Sequence, residues 1–260
     1  MKNIIICFIL LTAIGCSNKK EAPEMKGAYF MNSQTVNDGK QDIKYTDLKQ
    51  LKIYTDSFFI YAQVNPTDSV SSFGVGTYTS DTGTVIENVI YSARDSIINS
   101  GPSTFKLNIT KTPDGYTQVI PHIVSDSQDY RLTEEYRSVG KDETSPLDGV
   151  WKQTDFYLVK GNDTARSPRT QYKAFYKGYF VYGHTYKDSA NKSFTGIGFG
   201  TFKMDGDNRV NETDLNSTYS IQVGQTFPVD IELNGSNKYR QTIVNPDSSK
   251  SIETYERLKK

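Results

Sequence analysis

Gln50-Leu51-Lys52-Ile53-Tyr54, followed by Phe58-Phe59-Ile60-Tyr61-Ala62, returns further along the chain as Gln171-Tyr172-Lys173-Ala174-Phe175 followed by Tyr179-Phe180-Val181-Tyr182-Gly183. The correspondence continues in order. Gly74-Val75-Gly76-Thr77-Tyr78 answers to Gly198-Phe199-Gly200-Thr201-Phe202, and Val85-Ile86-Glu87 to Val210-Asn211-Glu212. Thr104-Phe105 answers to Thr226-Phe227, and Glu134-Glu135-Tyr136 to Glu253-Thr254-Tyr255. The offsets are roughly 120 residues, a domain-sized period and not a solenoid-sized one. Two homologous units follow, 27–139 and 149–260. Between them lies a linker, 140–148, whose Gly140-Lys141-Asp142-Glu143-Thr144-Ser145-Pro146 is polar and closed by proline.

Within the second unit, short β-rich runs alternate with turn residues. The runs are 149–159, 170–176, 179–186, 194–204, 209–214, 226–233, 238–244 and 251–258, punctuated by Lys177-Gly178, Asp188-Ser189, Asp205-Gly206-Asp207, Asn234-Gly235 and Asn245-Pro246-Asp247. Eight sequential strands with short connections predict an up-and-down antiparallel barrel, in which closure removes exposed edges. The predicted fold class is therefore all-β, with two tandem eight-stranded barrels. No part of the chain after the leader has sustained helical periodicity.

Composition excludes several functions. The 30 Lys+Arg balance the 30 Asp+Glu, leaving no basic footprint for nucleic acid. Two Cys and two His, His122 and His184, argue against a metal centre or a cofactor. The 18 Tyr and 13 Phe suit half-buried strands.

The N-terminus, 1–15, has Lys2 ahead of the apolar run Ile4–Ile14, too short to span a bilayer, and reads as a signal peptide. Its end, Thr12-Ala13-Ile14-Gly15-Cys16, resembles the lipobox of bacterial lipoproteins, although leucine is more usual where Ala13 stands. That resemblance implies lipidation of Cys16, a tether over 16–26, and anchoring to a membrane of the cell envelope. Ser17 after the Cys resembles the outer-membrane sorting of Gram-negative lipoproteins. Cys7 leaves with the leader, so the mature chain has no disulfide. Nothing in the sequence fixes an oligomeric state.

Gly149-Val150-Trp151 on the first strand of the second unit and Tyr255-Glu256-Arg257 on the last resemble the lipocalin-type (calycin) pattern. There the late Arg stacks across the Trp. Phe180-Val181-Tyr182 followed by Gly-x-Gly-Thr-aromatic and Val-x-Glu resembles the lipocalin-like domains of Bacteroidetes envelope lipoproteins. The resemblance implies structural roles for Trp151 and Arg257. In the first unit Tyr29 and Ser138 stand at those positions, which predicts a looser barrel end. Asp68-Ser69-Val70, Asp95-Ser96-Ile97, Asp163-Thr164-Ala165 and Asp188-Ser189-Ala190 resemble the O-glycosylation sequence of exported Bacteroidetes proteins, and are equally common turn sequences.

Chemistry is sparse. Gly196-Ile197-Gly198-Phe199-Gly200 precedes no helix, so its glycines are expected to let a strand bend or packed groups approach, not to cradle phosphate. Asp205-Gly206-Asp207-Asn208 with Glu212 has too few oxygen ligands for calcium and reads as a hairpin turn. The repeated polar set Lys52/Lys173, Tyr61/Tyr182 and Glu87/Glu212 is the candidate ligand-binding site, with Phe180 and His184 beside it. Alternation puts Val85, Glu87, Val89 and Tyr91 on one face, so an inward Glu87 needs Lys52, Tyr61 or a ligand as partner. A satisfied internal bond that fixes the fold is the competing reading.

No Ser/His/Asp set, Cys nucleophile or carboxylate pair is recognisable, so the chain reads as non-enzymatic. A catalyst built on Glu87, Glu212 or His184 is the remote option. The primary expectation is an envelope protein binding a small apolar or aromatic molecule inside a barrel. The alternative is a filled-barrel interaction module for glycan or another envelope protein. Bulky inward residues filling both barrels favour the module, and an open apolar cup favours the binder.

Overall fold

The computed structural model describes residues 22–65, 71–94, 97–99, 103–125, 127–140, 143–188 and 190–260. The leader, Cys16 and the tether through residue 21 lie outside the described residues, as do Asp68-Ser69-Val70, Asp95, Ser96 and Ser189.

The first unit contains β1 (Gly27–Asn37), β2 (Asp42–Tyr45), β3 (Lys49–Tyr54), β4 (Phe58–Val64), β5 (Ser72–Asp81), β6 (Thr84–Arg94), β7 (Ile97–Asn99), β8 (Ser103–Thr112), β9 (Gly115–Ser125) and β10 (Gln128–Val139). The second contains β11 (Gly149–Lys160), β12 (Asp163–Arg166), β13 (Arg169–Tyr176), β14 (Tyr179–Lys187), β15 (Ser193–Met204), β16 (Arg209–Ser217), β17 (Thr226–Asn234), β18 (Lys238–Val244) and β19 (Lys250–Arg257). The only helix among the described residues is a 3-10 turn, Ser220–Gln222.

Strands β1, β3–β6 and β8–β10 pair antiparallel in chain order, and β10 closes on β1. Strands β11 and β13–β19 do the same, and β19 closes on β11. The protein is thus all-β, with two closed eight-stranded up-and-down barrels. β2 and β12, which the turn pattern does not foresee, are short arms paired to the second halves of β1 and β11. The tight β13–β14 hairpin turns on Lys177-Gly178, both at positive φ, as a two-residue hairpin turn requires.

Each barrel has a base, where β1 or β11 begins, and a mouth at the other end. The base is packed with rings. In the second barrel Trp151, Phe175, Phe202 and Tyr239 form one buried cluster, Trp151 edge-on to Tyr239 at 4.7 Å. The Arg257 guanidinium lies 4.1 Å from the Trp151 ring centroid and donates to the carbonyls of Asp148, Pro146 and Ser236. Trp151 pairs with Arg257, and Tyr29 with Ser138, in the barrel-closing registers.

The first barrel's base is not loose, which corrects the expectation from its missing Trp and Arg. Met25 is fully buried there among Tyr29, Tyr54, Tyr78 and Tyr116, and Lys111 lies over the Tyr29 and Tyr116 rings at 5.9 and 5.8 Å. Leu147 is the counterpart plug in the second barrel, its carbonyl accepting from Trp151 Nε1 at 2.7 Å. Both plugs come from segments that composition reads as tether and linker.

The barrels pack side by side. Leu51, Ile53, Ile60, Ala62, Phe73 and Val75 on the outer faces of β3, β4 and β5 share one apolar cluster with Tyr172, Ala174, Val181, Ile197 and Phe199 on β13, β14 and β15. Base meets base where Phe30 packs edge-on to Tyr179, with ring centroids 5.6 Å apart. Mouth meets mouth where Asn216 Nδ2 donates to the Val64 carbonyl at 3.4 Å, so both mouths open to the same side.

Tyr91 belongs to this outer interface and not to the inner face with Glu87. Ile90 has no partner in the β5–β6 register, and this bulge reverses the alternation beyond it. Tyr91 therefore stacks near Phe73 and Tyr172 and hydrogen-bonds Thr185.

Candidate functional site

Above the aromatic base, each barrel encloses a repeated polar network. Alternation turns Gln171, Lys173 and Phe175 of β13 inward, while Tyr172 and Ala174 face the other barrel. The Lys173 ammonium then crosses the interior to Glu212 on β16, donating to its two oxygens at 2.6 and 2.8 Å and to Gln241 Oε1 at 3.4 Å. Gln241 passes the chain on. Its Nε2 donates to Glu253 at 2.9 Å, and Glu253 also accepts from the Tyr255 hydroxyl and from Gln171 Nε2 at 3.4 Å.

The first barrel repeats the Lys–Glu–Gln–Glu–Tyr arrangement, with Gln34 added where Phe156 stands in the second. Lys52 lies 2.7 Å from Glu87 and 3.4 Å from Gln118 Oε1, and Gln118 donates to Glu134 at 2.5 Å. Glu134 also accepts from Tyr136 at 2.9 Å and from Gln34 at 2.8 Å. Burial holds the hydroxyls of Tyr54, Tyr136 and Tyr255 well above the ordinary tyrosine range, which keeps them neutral donors.

The structure thus brings Lys52 together with Glu87 and Lys173 with Glu212, as the repeat implies. The phenol that reaches Glu87 is Tyr54's, not Tyr61's. Both point inward, but Tyr61 lies one level nearer the mouth, against Gly74. The glutamines and the second glutamates were not singled out from the sequence. Their signal was present: Gln50/Gln171 and Glu134/Glu253 recur at positions that strand alternation turns inward.

The glycine cluster has its reason here. Phe180, Tyr182 and His184 stand directly opposite Gly200, Gly198 and Gly196, and a Cβ on any of these glycines would collide with the facing ring. The rings lie flat across β15. Tyr182 stacks 6.2 Å from both Phe180 and His184, its hydroxyl 2.8 Å from Ser217 Oγ. His184 Nε2 meets the Tyr219 hydroxyl at 2.8 Å.

Two titrating groups are peculiar to the second barrel. Desolvation, helped by the Arg169 charge, lowers His184 to about 3, so it is neutral. Desolvation and the neighbouring Glu212 raise Asp214 to about 7, partly offset by Lys173. In the first barrel Gln63 and Val89 occupy the matching positions. Among the described residues, no group of three or more His, Cys, Asp or Glu is placed to hold a metal ion.

At the second mouth the wall is split. Opposite residues 153–156 of β11, the β12–β13 strand breaks at Ser167-Pro168, and β11 itself bulges between Gln153 and Asp155. A cleft of about 440 Å³ results, lined by Gln153–Phe156 and Arg166–Arg169. Arg169 lies 3.4 Å over the Phe156 ring, and Arg166 Nε donates to Asp155 at 2.9 Å.

No protein-family model and no curated protein matches the chain. Among solved structures, it is similar to a single-mutant and a double-mutant form of the vaccine antigen transferrin binding protein B from Haemophilus parasuis Hp5. The likeness amounts to 8% and 9% identity and TM-scores of 0.26 and 0.25, and covers 93% of this chain and 78% of each of those. At that level of overlap nothing about this chain's activity follows from it.

Proposed function

We propose that this is a lipid-anchored, non-catalytic interaction module of the cell envelope, whose two barrels present their mouths to a glycan or to another envelope protein. The observation that carries this reading is that both interiors are filled. Rings pack each base, and Lys52, Glu87, Lys173 and Glu212 above them bond to one another and to neighbouring Gln and Tyr side chains. Among the described residues such an interior offers no apolar cup for a small molecule, and its paired charges act as internal ties.

The exposed apolar residues support recognition at the mouths. Ile221, Val124 and Val244, exposed by 87, 74 and 59%, all stand at mouth ends of strands or loops. Met25, at the chain's entry to the first barrel, is buried at the base, so in this reading a lipid on Cys16 attaches on the base side and the mouths are free for recognition.

Native mass spectrometry of the gently purified protein tests the reading. For the soluble form that starts after Cys16, the expected spectrum carries no apolar or aromatic small-molecule adduct before or after refolding, and a reproducible adduct of that class lost on refolding overturns the reading. Palmitate labelling, expected in the wild type and absent in Cys16→Ala, tests the anchor.

A further inference from the structure

The two mouths differ at positions that the repeat makes equivalent. In the first barrel the inward residues at the wall split are Met31 and Leu48, both packed into the interior apolar cluster. In the second barrel the register puts Gln153 and Arg169 there instead. A hydrophobic plug has become a polar cleft.

That cleft holds unfinished hydrogen bonding. Arg169 Nε and Gln153 Oε1, on residues that line the cleft, are buried and have no hydrogen-bond partner, although buried polar groups are normally paired. Gln153 is only 6% exposed. Arg169 is also opposite Tyr186 on β14, which stacks on Phe194 at 5.3 Å, so a half-exposed aromatic rim stands beside the guanidinium.

We infer that the second mouth binds an acidic saccharide, its carboxylate on Arg169, a hydroxyl donating to the Gln153 side-chain carbonyl, and its sugar ring against Tyr186 and Phe194. Each group excludes an alternative. A neutral sugar leaves the guanidinium unpaired, and a bare carboxylate leaves the Gln153 amide oxygen without a donor. The cleft volume fits one or two sugar residues. This inference rests on the mouth-recognition reading above and names its ligand class.

The test is an NMR titration of the full chain, following the arginine Nε–H signals, with D-glucuronate and D-galacturonate as probes and D-glucose, acetate and N-acetylalanine as comparators. At least one uronate is expected to shift the Arg169 signal, assigned by its loss in Arg169→Gln, and to bind at least about tenfold more tightly than every comparator. Arg169→Gln should weaken binding at least about tenfold. The double variant Gln153→Met/Arg169→Leu copies the first barrel's plug, so it should fold, judged by Trp151 fluorescence, and should not bind.

No shift with either uronate at tens of millimolar overturns the inference. So does equal binding of acetate or N-acetylalanine, or undiminished binding by the folded double variant. Failure here with no apolar adduct in the native spectrum leaves the filled-barrel reading standing, whereas an apolar or aromatic adduct removes that reading whatever the uronates do.

Discussion

Replacing Lys173 with Met removes the one cation from the interior network of the second barrel. The side chain is 4% exposed and its partner Glu212 10% exposed, so water cannot take the ammonium's place without opening the barrel. Glu212 would lose two charge-assisted hydrogen bonds and Gln241 a third. Asp214, already raised to about 7 with Lys173 holding it down, would lose that restraint as well. Breaking a buried pair from one side typically costs about 3–5 kcal/mol, whereas replacing both partners by packed apolar groups is often close to neutral. Lys173→Met should therefore destabilise the second barrel by about 3–5 kcal/mol, and Lys173→Met/Glu212→Leu should recover most of that loss. Trp151 is the chain's only tryptophan and is fully buried at the base of this barrel, so urea unfolding followed by its fluorescence reads the right unit. A single variant costing under about 1 kcal/mol would refute the buried pair. A double variant as unstable as the single would refute compensation between the two residues.

Gly198→Val should cost about 1–3 kcal/mol by the same assay, because its Cβ would meet the Tyr182 ring. Arg257→Met should cost about 2–3 kcal/mol and shift Trp151 emission to the red, since it removes the cation over the indole and three bonds to carbonyls. Asp214 and His184 oppose each other in pH dependence. Between about pH 4 and 7 folded Asp214 keeps a proton that the unfolded chain has lost, so its contribution to stability falls as pH rises. Between about pH 3 and 6.5 unfolded His184 holds a proton that the folded ring refuses, so its contribution rises with pH. Relative to wild type, Asp214→Asn should tilt the stability profile upward with pH and His184→Gln should tilt it downward; superimposable profiles would contradict both shifts.

The barrels themselves were legible because hairpin punctuation and repetition are local signals. All eight runs in the second unit became strands, with ends displaced by no more than a few residues. The inward Lys and Glu were legible for the same reason, since alternation fixes a face. Alternation does not fix height along the barrel axis, however, and height decides that Tyr54 and not Tyr61 meets Glu87. Nor does it survive a bulge: the unpaired Ile90 sends Tyr91 outward, and no residue type in Asn88-Val89-Ile90-Tyr91 announces the change. The lateral contact between barrels did leave a trace. Leu51-Lys52-Ile53-Tyr54 and Phe58-Phe59-Ile60-Tyr61-Ala62 carry apolar or aromatic residues on the outer face as well as, Lys52 apart, on the inner, a pattern of strands covered on both sides.

What the copies share and where they differ separates fold from function more sharply than either copy alone. The Lys–Glu–Gln–Glu–Tyr network is the same in both and joins strands that are not neighbours, as Lys173 on β13 with Glu212 on β16 and Lys52 on β3 with Glu87 on β6. Such cross-interior bonds hold only when every strand is in register, and one missing partner leaves a buried charge unpaired. This explains why the network occurs in two barrels whose mouths are unlike. The mouth residues answer to no such constraint. By the repeat, Leu48, just ahead of β3, is equivalent to Arg169 at the start of β13, and Met31 of β1 to Gln153 of β11, yet Met31 and Leu48 are absorbed into a core whereas Gln153 and Arg169 line a cleft with unpaired polar atoms. A change that leaves the network intact and alters only the mouth keeps the barrel and changes what it can bind. Transplanting Gln153 and Arg169 into the first barrel, as Met31→Gln/Leu48→Arg, should therefore open a second cleft at a cost in core packing and in desolvation of the new polar groups, with the Lys52–Glu87 pair undisturbed.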